Sequence, residues 1–583
     1  MIDMKLNKEI LRLTGGEVID MKLNKIWGYG QLFGFSGVDG QSRYMNDCIA
    51  TLMREKIAIR FEFPAWVHMK FSLEGKITFR AVMSDFIDAK TACGEFFMAF
   101  VASDSIVGYS PVLPVFEMEN MRRMVSYGVE IYTNGADAFA LKYEQLENGS
   151  YKFAVTHSEG ATSFARKEAS VALKTDIDAL KRKKYAYYEK MPACKEKKYE
   201  RLYYKALSVN KVNVHTAEGR IPCRWTTPDR IPHKRMWLWD SAFHALAIAT
   251  YDTELAKDAL RAVLSQAEED GFISAMMNPY NHVDETQPQV LSWAVWEVYK
   301  KSGDKGFLRE CVSALDGYLK WDKNNRDNNG NGLLEWLSEY GYTVCRGGEA
   351  GWDNSPRFDV NEEMDAIDFS MFQAHDSLYL SYIYEELGDM TKAAYWKGEY
   401  ETLKDKINEC LWCEEDGVYY DRLYSGRFPK VVTPACFMPM FARIASKEQA
   451  KKLVEKLVDE NLLWTSVPLA TVAKSHPSYS TDMWRGGVWL NLNYFVIKGL
   501  LNYGYTELAE TLKNRTLETV NKWYKKTGAI FEFYDPEDKI APYACERKGK
   551  PTNPPEWRKH IHSIVDFNWS ACFTLLFIQN ELY

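Results

Sequence analysis

Ala366-Ile-Asp-Phe-Ser-Met-Phe-Gln-Ala-His-Asp-Ser-Leu-Tyr-Leu-Ser-Tyr-Ile-Tyr-Glu-Glu-Leu387 carries the period of a long helix, and a second helical stretch over 391–411 follows almost at once. The same period recurs over 255–268, 291–301, 447–460, 489–503, 505–522 and 566–579. Long helices separated by loops are the pattern of helix pairs stacked about an axis. About 390 residues from 197 to 583 leave room for roughly a dozen helices of average length with their connections. We therefore expect an all-α domain over 197–583, with an inner and an outer ring of helices around a cavity.

Upstream the period changes. Apolar and polar residues alternate in Ile57-Ala-Ile-Arg-Phe-Glu-Phe63, Lys76-Ile-Thr-Phe-Arg-Ala-Val82, Glu95-Phe-Phe-Met-Ala-Phe-Val101, Gly128-Val-Glu-Ile-Tyr132, Phe139-Ala-Leu-Lys-Tyr143 and Tyr151-Lys-Phe-Ala-Val155. Asn134-Gly135 and Asn148-Gly149 interrupt them as turns. Half-buried antiparallel strands read this way, so 27–173 is expected to be an antiparallel β-sandwich. Residues 174–196 read as a helical linker, and its basic run Lys181-Arg182-Lys183-Lys184 as a solvated stretch between domains. The heptapeptide at 2–8 recurs at 19–25, and the segment 1–26 is assigned no function.

With 46% hydrophobic residues over 583 positions, the chain can build a sizeable core, which excludes disorder, collagen and coiled coil as descriptions of the whole. Lys and Arg total 73 against 80 Asp and Glu, a net charge of -7 that argues against a nucleic-acid partner. Residues 1–30 lack the apolar core of a signal peptide, and no stretch of about 20 apolar residues occurs. A soluble, cytoplasmic protein with no membrane partner is the expectation; the oligomeric state is left open. Eleven cysteines, an odd number, suit buried thiols in a reducing compartment, and Cys410-Leu-Trp-Cys413 has no second pair to complete a zinc site. His560-x-His562 lacks a third ligand and reads as structural.

Dinucleotide, P-loop, serine-hydrolase and zincin motifs are missing. What the helical part does carry is a set of aromatic-acidic segments: Arg235-Met-Trp-Leu-Trp-Asp-Ser241, Asp284-Glu-Thr-Gln-Pro-Gln-Val-Leu-Ser-Trp293, Gly351-Trp-Asp-Asn-Ser-Pro-Arg357, Tyr479-Ser-Thr-Asp-Met-Trp-Arg-Gly-Gly-Val-Trp489 and Phe531-Glu-Phe-Tyr-Asp-Pro536. Sugar sites need this mixture, since aromatic faces cover the C–H side of a pyranose while carboxylates, amides and Arg bind its hydroxyls. Trp237, Trp239, Asp240, Gln287, Trp352, Arg357, Trp484, Arg485, Gly486, Trp489 and Tyr534 are the candidate substrate contacts. Glycoside hydrolysis also needs one protonated and one ionised carboxyl, and Asp353 and Glu532 are the candidates. Trp352 would raise the pKa of Asp353 and Arg357 would lower it, so the direction stays open. Singly, each carboxylate reads as a loop cap or a strand-surface acid; five such clusters in the loops of one ring favour chemistry.

These segments resemble those of the (α/α)6 clan that includes trehalases and family 63 glycoside hydrolases, the processing α-glucosidase and mannosylglycerate hydrolase group. The resemblance implies an (α/α)6 toroid, inversion, a general acid at Asp353 and a general base at Glu532. It also implies substrate binding by the Trp239-Asp240-Ser241 segment and by Trp484-Arg485-Gly486 with Trp489. Two positions depart from the family's pattern: Gln-Pro-Pro becomes Gln287-Pro288-Gln289, and Arg-Gly-Pro becomes Arg485-Gly486-Gly487. The expected activity is an inverting, exo-acting α-glycosidase, foremost an α-glucosidase, acting on a carbohydrate substrate without a catalytic cofactor. The competing readings are a sugar isomerase or epimerase, for which no paired histidines stand near the clusters, and a non-catalytic glycan-binding protein.

The stretch Asp327-Asn-Asn-Gly-Asn-Gly-Leu-Leu-Glu335 offers oxygens from Asp327, Asn329, Asn331, the Leu333 carbonyl and Glu335 to a hard cation. Similar loops in some family 63 members hold calcium, so a structural Ca2+ is expected here, against a plain Asx-rich turn.

Overall fold

The computed structural model describes residues 23–45, 47–54, 57–63, 66–338, 345–548 and 562–582. Residues 1–22 of the N-terminal segment, and with them most of the repeated heptapeptide, lie outside these, as does His560. Two units emerge: residues up to Thr216 with Asp229–Lys234 and Trp523–Ile530, and Ala217–Pro228 with Arg235–Lys522 and Phe531–Tyr583.

In the first unit the alternating stretches form two antiparallel sheets. One holds five strands in the order Leu32–Gly34, Ile49–Leu52, Ala58–Phe63, Val67–Lys70 and Val115–Met118. The other holds eight, running from Arg122–Ser126 through Val129–Thr133, Asp137–Gln145, Tyr151–Glu159, Ser105–Ser110, Gly94–Ala102 and Phe86–Thr91 to Thr78–Val82. Every second side chain points inward, so Phe33, Ile59, Phe61 and Met69 of one sheet meet Ile87, Phe96, Met98, Phe100, Phe139 and Phe153 of the other in one core. At the Asn134-Gly135 turn, Gly135 takes φ 95° while the Asn134 side chain accepts from the amides of Ala136 and Asp137 at 3.0 and 2.8 Å.

The basic run is a correction. Lys181 and Lys184 are three residues apart on the helix Ile177–Glu189, hence on one face, and that face is buried while Arg182 and Lys183 are exposed. Lys181 pairs with Asp88 at 2.8 Å, and Lys184 with Asp85 at 2.8 Å and Asp39 at 2.5 Å. The boundary expected at 197 also moves. Val212, the last residue of the helix Glu200–Val212, packs with Leu32 and Ile49, so the first unit continues to Thr216.

The second unit is the ring. Leu238–Ile248, Leu291–Ser302, Ile367–Leu387, the short 3-10 helix Pro434–Met440, Leu490–Asn502 and Asn568–Ile578 each pack on the next, and the last packs on the first. Leu238–Ile248 and Asn568–Ile578 are buried at every residue, as an inner wall must be. Thr253–Leu264, Lys305–Asn325, Met390–Cys410, Lys447–Leu457 and Thr506–Thr527 follow the first five in sequence. They are two-faced: Met390–Cys410 buries Ala393, Trp396, Tyr400, Leu403 and Ile407, one stripe at spacings of three and four. The architecture is an antiparallel β-sandwich followed by an (α/α)6 toroid. Among the described residues no helix is long and apolar enough to cross a membrane.

Candidate active site

Inner helices turn into their outer partners through short, capped connections. Asp252 accepts from Leu255 N at 2.9 Å, Asp304 from Gly306 N at 2.9 Å and Asp389 from Lys392 N at 3.1 Å. The return connections are long, and each aromatic-acidic segment lies in one of them or in the first turn of an inner helix. Antiparallel pairing thus gathers all five segments at the end of the ring where the inner helices begin.

Aromatic stacking joins three of these segments. Trp352 lies 5.2 Å from Trp484 at 28°, Trp484 lies 3.9 Å from Trp489 at 5°, and Trp489 lies 5.1 Å from Phe533 at 24°. Trp239 packs over Gly351, whose φ of 73° leaves no room for a side chain: a Cβ there would stand 2.4 Å from the Trp239 ring. The backbone adds cross-links, with Trp484 N donating to Asn354 Oδ1 at 3.0 Å and Val488 N to Tyr534 O at 2.8 Å.

Asp353 and Glu532 project from this framework, and consecutive residues reach both. Arg547 Nε donates to Glu532 Oε2 at 2.9 Å and Nη2 to Oε1 at 3.2 Å, and Ile564 N donates to Oε2 at 3.2 Å. The Lys548 ammonium is in ion-pair contact with the Asp353 carboxylate and donates to Cys345 Sγ at 3.6 Å. Since adjacent Cα atoms are about 3.8 Å apart, one dipeptide ties the two carboxyls into one neighbourhood. Their settings differ: the Asp353 side chain is 19% exposed, that of Glu532 only 2%. Burial pulls the Lys548 ammonium down, but Asp353 and the Cys345 thiol outweigh it and the net shift is upward. Burial, and then the Asp353 charge, push the Cys345 thiol up to about 12.

The remaining candidates divide. Asp240 sits buried in the first turn of Leu238–Ile248, and Trp237 is half-buried beside it, paired with Met276. Gln287 faces inward and orients its neighbour, its side chain accepting from Trp239 N at 3.2 Å. Arg485 is partly exposed and bonds Asp359 at 2.7 Å. Gly486 N donates to Thr471 at 2.9 Å, and a Cβ there would stand 2.1 Å from Ser480 O. Tyr534 is buried, its hydroxyl accepting from Phe531 N at 3.1 Å. Arg357 is a correction to the expected substrate contacts: fully buried, it spends four of its five N–H groups on Asp368 and Asp421 at 2.6–2.9 Å, tying the 351–357 segment to the ring. Burial pushes His244 and His375 down to about 3, and each packs as an interior side chain.

A model of the mannosylglycerate hydrolase MGH1-like glycoside hydrolase domain matches residues 232–570, more than half of the chain. The chain belongs to this glycoside hydrolase family. An uncharacterized protein of Borreliella burgdorferi is 30% identical over 282 residues, 46% of this chain and 57% of its own length, so the chain spans little more than half of that relative. Mannosylglycerate hydrolase MGH1 of Selaginella moellendorffii is 25% identical, covering 54% of this chain and 78% of its own. The crystal structure of the family 63 mannosylglycerate hydrolase from Thermus thermophilus with Tris and D-glycerate superposes with TM-score 0.51 at 22% identity, over 64% of this chain and 99% of that one.

Against the family's pattern the two departures have physical contexts. At Gly487 a Cβ would stand 2.5 Å from Met483 O and 2.8 Å from the Phe533 ring, so proline has no room. Gln289 is fully buried and turns toward the Asp322 carboxyl, which burial raises well above the ordinary range. Sequence reasoning missed Arg547, Lys548 and Cys345. A charged dipeptide near the chain's end reads as solvated surface, and only the bridge between Glu546 and His562 beside it hints at a placed segment.

The 327–335 loop is closed by its own side chains. Asn329 and Asn331 accept from the amides of Asn331 and Leu333 at 2.9 and 2.7 Å, and both donate to Asp365. Two buried oxygens, Asp327 Oδ1 and Glu335 Oε1, have no hydrogen-bond partner among the described residues, which suits a cation. The Lys406 ammonium already meets the Asn331 carbonyl and supplies positive charge at the loop.

Proposed function

We propose that the protein is an inverting, exo-acting α-glycosidase that releases one terminal hexose, glucose or mannose, from a small glycoside. The observation that carries the reading is the meeting of Asp353 and Glu532 at one dipeptide, at the ring end where the aromatic segments gather. Asp353, the more accessible carboxyl, protonates the departing oxygen; Glu532, fixed by the Ile564 amide, takes the proton of an attacking water. Inversion requires the carboxyls to leave room for that water, about 6.5–9.5 Å between them. Asp240, Arg485 and the tryptophans hold the terminal sugar. The names of the Selaginella and Thermus relatives, and the D-glycerate in the Thermus crystal, support a compact aglycone. Eleven cysteines, all free thiols, support a reducing compartment, the cytoplasm.

The test is incubation with mannosylglycerate, glucosylglycerate, trehalose and aryl α-glycosides, with NMR of the first-formed anomer. Release of the β-anomer is expected; the α-anomer overturns inversion, and no release from any of them overturns the activity.

Calcium at the 327–335 loop is a separate proposal, resting on the two unpartnered oxygens of Asp327 and Glu335, with Asn329, Asn331 and the Leu333 carbonyl completing the donor set. Its role is structural. Tm should rise on adding Ca2+ to chelator-treated protein and should not respond in Asp327→Ala; an unchanged Tm in the parent removes the ion.

A further inference from the structure

Arg547 and Lys548 stand on the two groups that hydrolysis uses, and the catalytic scheme gives neither cation a task. A general acid must hold its proton when the glycosidic oxygen departs, whereas an ammonium in contact with a carboxyl favours the ionised form. The contact with Asp353 is partly sheltered, the Lys548 side chain being 21% exposed, so salt screens it less than a surface pair. Arg547 explains why Lys548 stands there: its guanidinium is fastened to both oxygens of the buried Glu532, a planar two-point grip that fixes the next residue in the chain. Its neighbours Cys345, Arg547 and Arg357 do not cancel the ammonium. Cys345 is a neutral thiol at working pH, Arg547 is neutralised by Glu532, and Arg357 on Asp353's own segment is neutralised by Asp368 and Asp421.

We propose that Lys548 is a positioning residue that holds Asp353 ionised in the free enzyme, and that substrate entry separates this pair so that Asp353 takes up the proton it donates. The inference rests on the assignment of Asp353 as acid and Glu532 as base. It makes the resting site a self-neutralised one, two carboxylates against two consecutive cations, opened by the sugar and its aglycone. The balance is simple. Asp353 gains one proton from solvent on separation, passes it to the leaving oxygen as the glycosidic bond breaks, and returns to Lys548 as a carboxylate, while Glu532 gives the proton it took from the attacking water back to solvent.

The test compares pH profiles of kcat/KM, which reports the free enzyme, with those of kcat, which reports the complex. The substrates are mannosylglycerate, or whichever alkyl glycoside the parent enzyme hydrolyses fastest, and the 4-nitrophenyl glycoside of the same sugar, whose leaving group departs without a proton. In Lys548→Met the alkaline limb of kcat/KM on the alkyl glycoside should move up by about one pH unit or more, the size of effect an adjacent opposite charge exerts. Above the parent's limb kcat/KM should then rise about tenfold. The limb of kcat should stay in place, the nitrophenyl profile should not change, and Lys548→Arg should keep the parent profile. Limb positions do not depend on how much of a variant folds. An unmoved limb in Lys548→Met, or an equal shift in Lys548→Arg, overturns the proposal. If Asp353→Asn itself still turns over the alkyl glycoside at the parent rate, the underlying acid assignment fails instead.

Discussion

Asp353 and Arg357 lie one turn apart in a single segment, yet their charges serve different purposes. Asp353 points to where Lys548 and solvent reach it; Arg357 is locked between Asp368 and Asp421, which arrive from an inner helix and from a hairpin far along the chain. Adjacency suggested a shared role as acid and sugar ligand, and adjacency carries no information about partners 11 and 64 residues away. The burial of Glu532 goes with its aromatic neighbours, whereas its contact with Arg547 was not legible, since nothing local announces which carboxylate a surface-looking arginine will find. The catalytic assignment makes a prediction at this scale. Asp353→Asn keeps the shape of the side chain and removes the proton donor, so kcat on an alkyl glycoside should fall by about 10³ or more while Tm and inhibitor affinity stay close to the parent's. Turnover near the parent's rate, measured with an alkyl rather than an aryl leaving group, removes Asp353 from the acid role.

Among elements, periodicity was the reliable guide. The six strands expected from alternation are all present, because a half-buried strand writes its two faces directly into the sequence. The fourth inner helix was invisible: Pro434–Met440 is a seven-residue 3-10 turn with proline at 434 and 439, too short and too interrupted to show a helical period. Helix Ile177–Glu189 shows the opposite failure, a clear helix whose faces were misread. A run of four basic residues looks uniformly solvated until the helical turn sends Lys181 and Lys184 to the interior and the two between them to water. That division can be measured. Removing one partner of a buried ion pair leaves its counter-charge stranded, at a cost of about 3–5 kcal/mol. Lys184→Met leaves Asp85 and Asp39 to Lys211 alone, which pairs with them at 2.6 and 2.9 Å, so it should lower unfolding stability by up to that order, while Lys183→Met on the exposed side should change it by less than about 0.5 kcal/mol. Equal effects of the two substitutions in denaturant unfolding would contradict the burial of this face.

At the scale of the molecule, the inner ring is built from side chains that bury ionisable groups in both senses, and stability responds to pH as the balance between them. Asp376, on Ile367–Leu387, caps the preceding inner helix by accepting from Ser292 N at 2.7 Å and Trp293 N at 3.1 Å. Burial raises its carboxyl from 3.8 to about 7 despite those hydrogen bonds. The folded chain then holds this proton where the unfolded chain has lost it, so the contribution is full below about 3.8, declines as pH rises, and is gone above about 7. His244 and His375 act the other way. Burial lowers both from 6.5 to about 3, the unfolded chain binds the extra protons, and stability from this source grows as pH rises from about 3 to 6.5. The two trends run through the same window and offset each other, so the parent's stability curve can be flat while its components are steep. A single substitution separates them. Asp376→Asn keeps an uncharged acceptor at the helix end at every pH, so its deficit relative to the parent should be largest near pH 4 and shrink by a few kcal/mol towards pH 8, at about 1.4 kcal/mol per pKa unit. His375→Gln should show the reverse, a deficit that grows as pH rises. Unfolding by denaturant at pH 4.5, 6 and 8 reads both differences, and a pH-independent deficit in Asp376→Asn would mean that this carboxyl is already ionised in the folded ring.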